Sequence, residues 1–441
     1  MAHYIPHTDA EIDGMLEFIG LSSLEELFEC VPEALRLAGG LDIPMGLSEF
    51  DTHAEMERLA GLNIGANLVC FAGGGAYDHD VPAAVRRLAG RTEFVTAYTP
   101  YQPEVAQGVL QALFEYQTMV ARLSGLEIAN ASLYDGATAL VEAVNLAVAA
   151  TGRQHVALSD GVHRHWQDVV ATFAAGTGHD IVSVPLRGGV TDAAAIGEAP
   201  GAVVLQYPNR LGVLDDVASA ARAAQEAGAM LVLAFDPIAA AVLRSPGEWG
   251  ADVAVGEGQP LGTPMSFGGP YLGLFAAKLE HVRRIPGRLV GETTDGEARR
   301  AFTTTLRTRE QDIRREKASS NVCTNQTLIA VTAMIQMGWL GKAGLVDVAT
   351  QCARGTRYAR EALLAIDGVT PLVDADVLRE FTVATPVAPA VVVERMAEEG
   401  FLAGTPTDDG DGNDGLLVAV TEKRTRAEID SFVAAFEKVV R

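Results

Sequence analysis

The chain has 441 residues, 48% of them hydrophobic and 21% charged, which suits a large domain with a smaller companion and excludes a lone mini-domain. A formal net charge of −23, from 57 acidic against 34 basic residues, excludes general binding to a nucleic-acid backbone and opposes an anionic membrane surface. Cys30, Cys70, Cys323 and Cys352 lie too far apart for a CxxC metal pair or a dense disulfide framework, so they read as reduced thiols and no metal is expected.

The start, MAHYIPHTDAEIDGML, has no basic stretch followed by an apolar run, so no secretory signal is expected. The apolar stretches are broken by Gly, Pro or charge before they would span a bilayer, and a cytoplasmic protein is expected. Residues 1–65 read as a helical arm. Thr8 or Asp9 is placed to cap a helix starting near Glu11, and SSLEELFE offers a serine cap followed by acids. Pro32 and GGLDIPMG punctuate this arm, which has too few regular apolar positions for a core of its own.

Residues 66–315 alternate short apolar runs with longer amphipathic ones. HVALS (155–159), IVSV (181–184), AVVLQ (202–206), MLVLAF (230–235), ADVAV (251–255) and YLGLF (271–275) are apolar on both faces, as buried parallel strands are. Helical segments such as 136–150 and 215–227 lie between most of them, which predicts a mostly parallel sheet covered by helices. Residues 316–441 read as a small α/β domain. It has a long helix near Gly344–Ile366, then VTPLV, REFTVAT, a helix around Ala388–Gly400, the strand LLVAVT and a closing helix from Arg426. Asp409, Asp411 and Asn413 are spaced as in a calcium loop, but Asp414 stands where Gly is required and Val420 where Glu is required, so a polar turn is expected.

The most informative segment is Thr96–Gln117, TAYTPYQPEVAQGVLQALFEYQ. Two tyrosines and two prolines make a stiff loop, with Pro103 in the first turn of the helix that follows. Tyr98 and Tyr101 are either packing residues or the tips of a site or interface, and periodicity does not separate the two. The string YTPYQPE…QG…L…L…YQTM resembles the signature of the alpha-type half of glycine decarboxylase, the P-protein of the glycine cleavage system. The resemblance continues through SGLEIANASLYDGATALVEAVNLA (124–147), IPGRLVGET (285–293), LRTREQDIRREKASSNVCTNQTL (306–328) and LLVAVTEKRT (416–425), almost the whole chain.

The resemblance implies the type I fold of the transferases that use pyridoxal phosphate (PLP), the aspartate-aminotransferase-like α/β fold. It also implies a beta-type partner that carries the PLP lysine, two such pairs forming a heterotetramer. Such an assembly decarboxylates glycine, releases CO2 and passes the aminomethyl group to the lipoyl arm of the H-protein. The surface expected to wall the partner's pocket comprises Tyr98, Thr99, Tyr101, Gln102 and Glu104, with Arg284 and Arg288.

Three further places correspond to the cofactor seat of that fold. Ser132-Leu-Tyr-Asp135-Gly136 precedes a small-residue helix, where N–H groups could hold a phosphate; on capping preference Asp135 or Ser132 is expected to be an N-cap, with the acid competing for the same pole. Asp236 follows MLVLAF, where the resemblance implies a carboxylate on the pyridinium nitrogen, and His163 falls where a ring-stacking His is implied. What is missing decides the matter. An imine-forming lysine is needed downstream of that Asp, yet the first lysine in the chain is Lys278, and Gly258, Gln259 and Pro260 stand where the catalytic subunit would place its His-Lys pair. No catalytic residue is therefore expected in this chain.

Arg283–Lys317 holds ten Lys/Arg against six Asp/Glu, either as helix-surface ion pairs or as a face for a carboxylate or for the acidic lipoyl carrier. Two other functions stay open at this level: an independent PLP aminotransferase or decarboxylase, and a non-catalytic scaffold that keeps the fold.

Overall fold

The computed structural model describes residues 6–37, 41–96, 100–266 and 268–441. The chain divides into two compact units, Met1–Asn67 and Leu68–Arg441. In the first, Thr8 caps the helix Asp9–Ile19 through a capping box with Glu11, and Ser48 caps the helix Glu49–Gly61. SSLEELFE closes into a short 3-10 turn, Leu24–Phe28, with no side-chain cap. Leu16 is the only buried side chain among the described residues of this unit, so it has no core of its own.

The second unit is built on a seven-stranded sheet. Across it the order is Ile128–Ala129, Gly273–Ala277, Val253–Glu257, Met230–Phe235, Ala202–Tyr207, His155–Ser159 and Asp180–Val184. The last five are parallel to one another, whereas Gly273–Ala277 runs antiparallel to both of its neighbours. Val203, Val204, Val232, Leu233, Ala254 and Val255 are all essentially inaccessible, which is why these segments read as apolar on both faces. One face packs on the helix Gly136–Thr151, whose Ala139, Leu140, Ala143 and Ala147 let it lie close to the strands. The opposite face is covered by Gln107–Ser124 and the first part of Thr327–Leu364, and farther along by Val217–Ala227.

The last helix differs from its expected start near Gly344. It begins at Thr327, is interrupted by a non-helical Gly341 (φ 59°, ψ −174°), and ends at Leu364. The apolar run TLIAVTAMIQMGWL is buried along one side, through Ala330, Val331, Ala333 and Met337, and leaves Leu328 and Trp339 exposed. By length and hydropathy this helix is apolar enough to cross a membrane, contrary to the expectation of broken stretches; its Ala330, Ala333, Met337 and Ala349 are packed into the core against Gln107–Ser124 and the sheet.

C-terminal residues form a four-stranded antiparallel sheet ordered Thr370–Pro371, Glu380–Ala384, Asp414–Ala419, Thr405–Asp408. Helices Pro389–Glu398 and Arg426–Val440 close it over Phe381, Phe432 and Phe436. Val69–Cys70 pairs parallel with Phe401–Leu402 in a separate two-stranded sheet, and the Phe71 carbonyl accepts from the Ala419 N–H at 2.8 Å, so the chain between residues 70 and 82 runs from beside the four-stranded sheet toward the large one. The 409–413 loop is a turn held by Asp409, which accepts the N–H groups of Asp411 (2.8 Å) and Asn413 (3.1 Å).

Candidate functional site

The carboxyl ends of parallel strands in an α/β sheet gather unpaired backbone groups and loop side chains, and a pocket forms there. Here it is lined by His163, Trp166, Gln206, Asp236, Glu257 and Arg379, together with Tyr77 and Glu380. The open space at its centre is only about 30 Å³, room for a water or two.

Asp236 directly follows the Met230–Phe235 strand, and its Oδ1 accepts the N–H groups of Ile238 (2.8 Å) and Ala239 (3.2 Å). Its Oδ2 pairs with the guanidinium of Arg379, which is fully buried at the head of the Glu380–Ala384 strand. Burial works most strongly against the Arg379 charge, and Asp236, Tyr77, Glu380 and Cys352 together outweigh it. Arg379 also lies 3.4 Å from the centre of the Tyr77 ring and donates from Nη1 to His79 Nε2 at 2.8 Å. Glu380 accepts from the Tyr77 hydroxyl (2.9 Å) and the Gly74 N–H (3.1 Å); burial pushes its pKa up to about 7 despite Arg379.

His163 stacks on His165 with ring centres 5.5 Å apart. The Gln206 amide donates to its Nε2 at 3.1 Å, and burial lowers its pKa to about 3, so the ring is neutral at physiological pH. Asp135 caps the helix Gly136–Thr151 in a capping box with Thr138, as expected from capping preference. The next N–H, that of Gly136, donates to Glu257 at 2.9 Å. Glu257 also accepts from Gln259 and Leu272, each at 2.9 Å, while burial pushes its pKa up to about 8. Ser132 points elsewhere: at φ 108° it turns its hydroxyl to accept from Asn325 (3.1 Å) and the Gln326 N–H (3.2 Å).

PLP does not fit this seat. The donor at the helix start is already taken by Glu257, and Asp236 by Arg379. Nor is there an amine. Pairing of Gly273 with Glu257 and of Ala277 with Val253 puts Lys278 at the other end of the sheet, where it pairs with Asp252 at 2.5 Å. Gln259 is a structural residue, exchanging hydrogen bonds with the Tyr77 backbone at 2.9 and 3.0 Å.

The second group of expected residues lies apart from this pocket. Tyr98 and Thr99 fall outside the described residues. Half-exposed Tyr101 accepts from Arg288 Nη2 at 2.5 Å, and the guanidinium groups of Arg288 and Arg307 lie 4.6 and 5.2 Å from its ring centre. Arg288 is buried and also donates to Asn325 Oδ1 and the Cys323 carbonyl, each at 3.2 Å. Gln102, Glu104 and Arg284 are exposed. Thus the structure joins Tyr101 to Arg288 and leaves the other three at the surface. Arg379, Glu380, Tyr77, His79 and Glu257 escaped sequence reasoning. Only Glu257, an acid in the apolar run VAVGE, carried a local signal.

A family model described as glycine cleavage system P-protein matches residues 2–436. A protein of Moorella thermoacetica named probable glycine dehydrogenase (decarboxylating) subunit 1 is 46% identical, covering 99% of this chain and 99% of its own. Among solved structures, a crystal structure of glycine decarboxylase (P-protein) of the glycine cleavage system in inhibitor-bound form superimposes with a TM-score of 0.95 at 46% identity, covering 99% of this chain and 100% of that one. A sphingosine-1-phosphate lyase of Burkholderia pseudomallei shares the fold alone, with a TM-score of 0.68 at 14% identity and 93% and 94% of the two chains covered.

Proposed function

The chain belongs to the glycine cleavage system P-protein family and has the type I fold of PLP-dependent transferases, and from that premise we propose that it is the subunit without the imine-forming lysine of a glycine dehydrogenase (decarboxylating). The observation that carries this reading is the position of Lys278, at the wrong end of the sheet and paired with Asp252, in a chain whose earlier residues include no lysine. A chain without that amine does not hold an aldehyde cofactor as an imine. The same observation argues against an independent PLP aminotransferase or decarboxylase.

The partner is a beta-type subunit that carries the lysine and holds PLP, whose ring supplies the electron sink for losing CO2 from glycine. Two such pairs form a heterotetramer in the cytoplasm, and the lipoyl arm of the H-protein receives the aminomethyl group. This chain positions and excludes water. Tyr101, held by Arg288 and flanked by Arg307, is a stiff aromatic tip, and with Tyr98, Thr99, Gln102 and Glu104 it is assigned to the wall of the partner's pocket. The basic stretch Arg283–Lys317, with exposed Arg284, faces the acidic lipoyl carrier.

Reconstitution tests the proposal. Purified chain is mixed with a lysine-bearing partner of similar length, PLP and lipoylated carrier, and glycine–bicarbonate exchange is followed. Exchange should appear only when both chains are present. Exchange by this chain alone, or no gain on adding it, refutes the reading.

A further inference from the structure

The groups that a bound PLP would engage are used up by this chain's own side chains, and from both ends of the seat. At the start of the helix Gly136–Thr151, the Glu257 carboxyl takes the Gly136 N–H that would meet an anion. Trp166 covers the same spot: a Cβ on Gly136 would fall 2.2 and 2.4 Å from its indole ring. At the far end, Asp236 faces the Arg379 guanidinium, a cation where the fold otherwise presents a protonated ring nitrogen.

The source of Arg379 gives this pairing a second meaning. Arg379 and Glu380 belong to the small antiparallel sheet, Asp236 to the end of the large parallel one, and Tyr77 and His79 to the segment running between them. One buried guanidinium therefore ties three parts of the unit together. A guanidinium only donates, so His79 Nε2 accepts and Nδ1 carries the hydrogen, which Nδ1 donates to Glu422 at 2.6 Å. That assignment also settles the nearby trio of His79, Cys352 and Glu422, whose ligand atoms lie within 4.8 Å of one another. A metal on Nδ1 would move the hydrogen to Nε2, where it would face Arg379 donor to donor. The trio is the hydrogen-bonded end of the same network.

We propose that this pocket is a self-liganded clamp: Glu257 fills the anion seat and Arg379 the cation seat, so the chain binds no PLP and uses the former cofactor seat to hold its small sheet against the large one. Arg379 is a positioning residue here and takes no part in chemistry. A buried pair that loses one partner leaves an uncompensated charge, whereas loss of both is milder. The clamp therefore predicts coupling, not mere sensitivity.

The test uses the full chain and needs neither partner nor glycine, so a failed reconstitution leaves it standing and its own failure leaves the assigned activity standing. Thermal unfolding is measured for Asp236→Asn, Arg379→Met and the double variant, and equilibrium dialysis is run on the unmodified chain with PLP and with inorganic phosphate. Each single change should lower Tm by about 5 °C or more. The double variant should lose less than the sum, and should fold even where a single variant does not. Dialysis should show no saturable binding of either probe. Additive losses, a double variant no more stable than the worse single one, or saturable uptake of PLP or phosphate would each overturn the clamp.

Discussion

The Gly136 N–H donates to the Glu257 carboxyl at 2.9 Å, joining the first turn of a helix to the end of a strand 121 residues later in the chain. Glu257 is almost fully buried and accepts three N–H groups in all. Glu257→Gln keeps the shape but must aim an NH2 at one of those donors. It should cost about 1–3 kcal/mol of unfolding free energy, read from urea denaturation. An unchanged midpoint would show that the carboxyl is not what holds the helix start.

The pH dependence of that change has a definite sign. Unfolded, the Glu257 carboxyl titrates near 4.5, and folded, burial pushes it up to about 8. The folded state binds more protons across that window, so the stability it contributes is full below pH 4.5 and is lost as pH rises toward 8. The gap between unmodified chain and Glu257→Gln should therefore be larger at pH 5 than at pH 8. Equal gaps would contradict the raised pKa.

His163 works in the opposite sense. Its imidazole titrates near 6.5 when unfolded, and burial lowers it to about 3 in the fold. The unfolded state binds more protons between these values, so the stability from the buried neutral ring is present above pH 6.5 and is lost as pH falls. His163→Gln should flatten the fall in stability between pH 6.5 and 5. A profile that still falls as steeply in the variant assigns the loss to another group.

Gly136 cannot carry a side chain while Trp166 lies where it does. Gly136→Ala should cost about 1–3 kcal/mol through overpacking, and trimming the indole with Trp166→Leu should recover part of the loss in the double variant. Simple additivity in a double-mutant cycle would mean that the two do not meet.

Tyr101 offers Arg288 a hydroxyl acceptor and two cations a ring face. Tyr101→Phe removes the first and keeps the second, for a loss of about 1 kcal/mol in stability. In the reconstituted enzyme it should lower exchange and weaken carrier affinity. Full activity with normal carrier affinity would remove Tyr101 from the proposed wall.

Much of the architecture was legible in local pattern. Every one of the six apolar runs overlaps a strand of the large sheet, because a strand buried on both faces admits almost no polar side chain; IVSV is the exception in burial, since Asp180–Val184 is the edge strand and its Val182 and Ser183 are exposed. Asp135 was readable as a cap for a similar reason, since capping is settled within four residues. The start of the long helix was not legible: the stretch from Thr327 is apolar on nearly all sides in sequence, and which of its residues face the core is fixed only by packing on Gln107–Ser124 and the sheet.

The sequence by itself determined the family, the alternation that builds the parallel sheet, and the absence of a lysine before Lys278. Those depend on which residues stand at which positions along the chain. Tertiary structure alone decided what became of the seat. Asp236 and Arg379 are 143 residues apart in number, and nothing near either one announces the other. Their pairing arises where strand ends from two sheets converge, and the Glu257 carboxyl meets the Gly136 N–H where a strand of the large sheet ends beside the helix packed on it, because a buried charge or carboxyl must find its partner in space wherever the chain brings one.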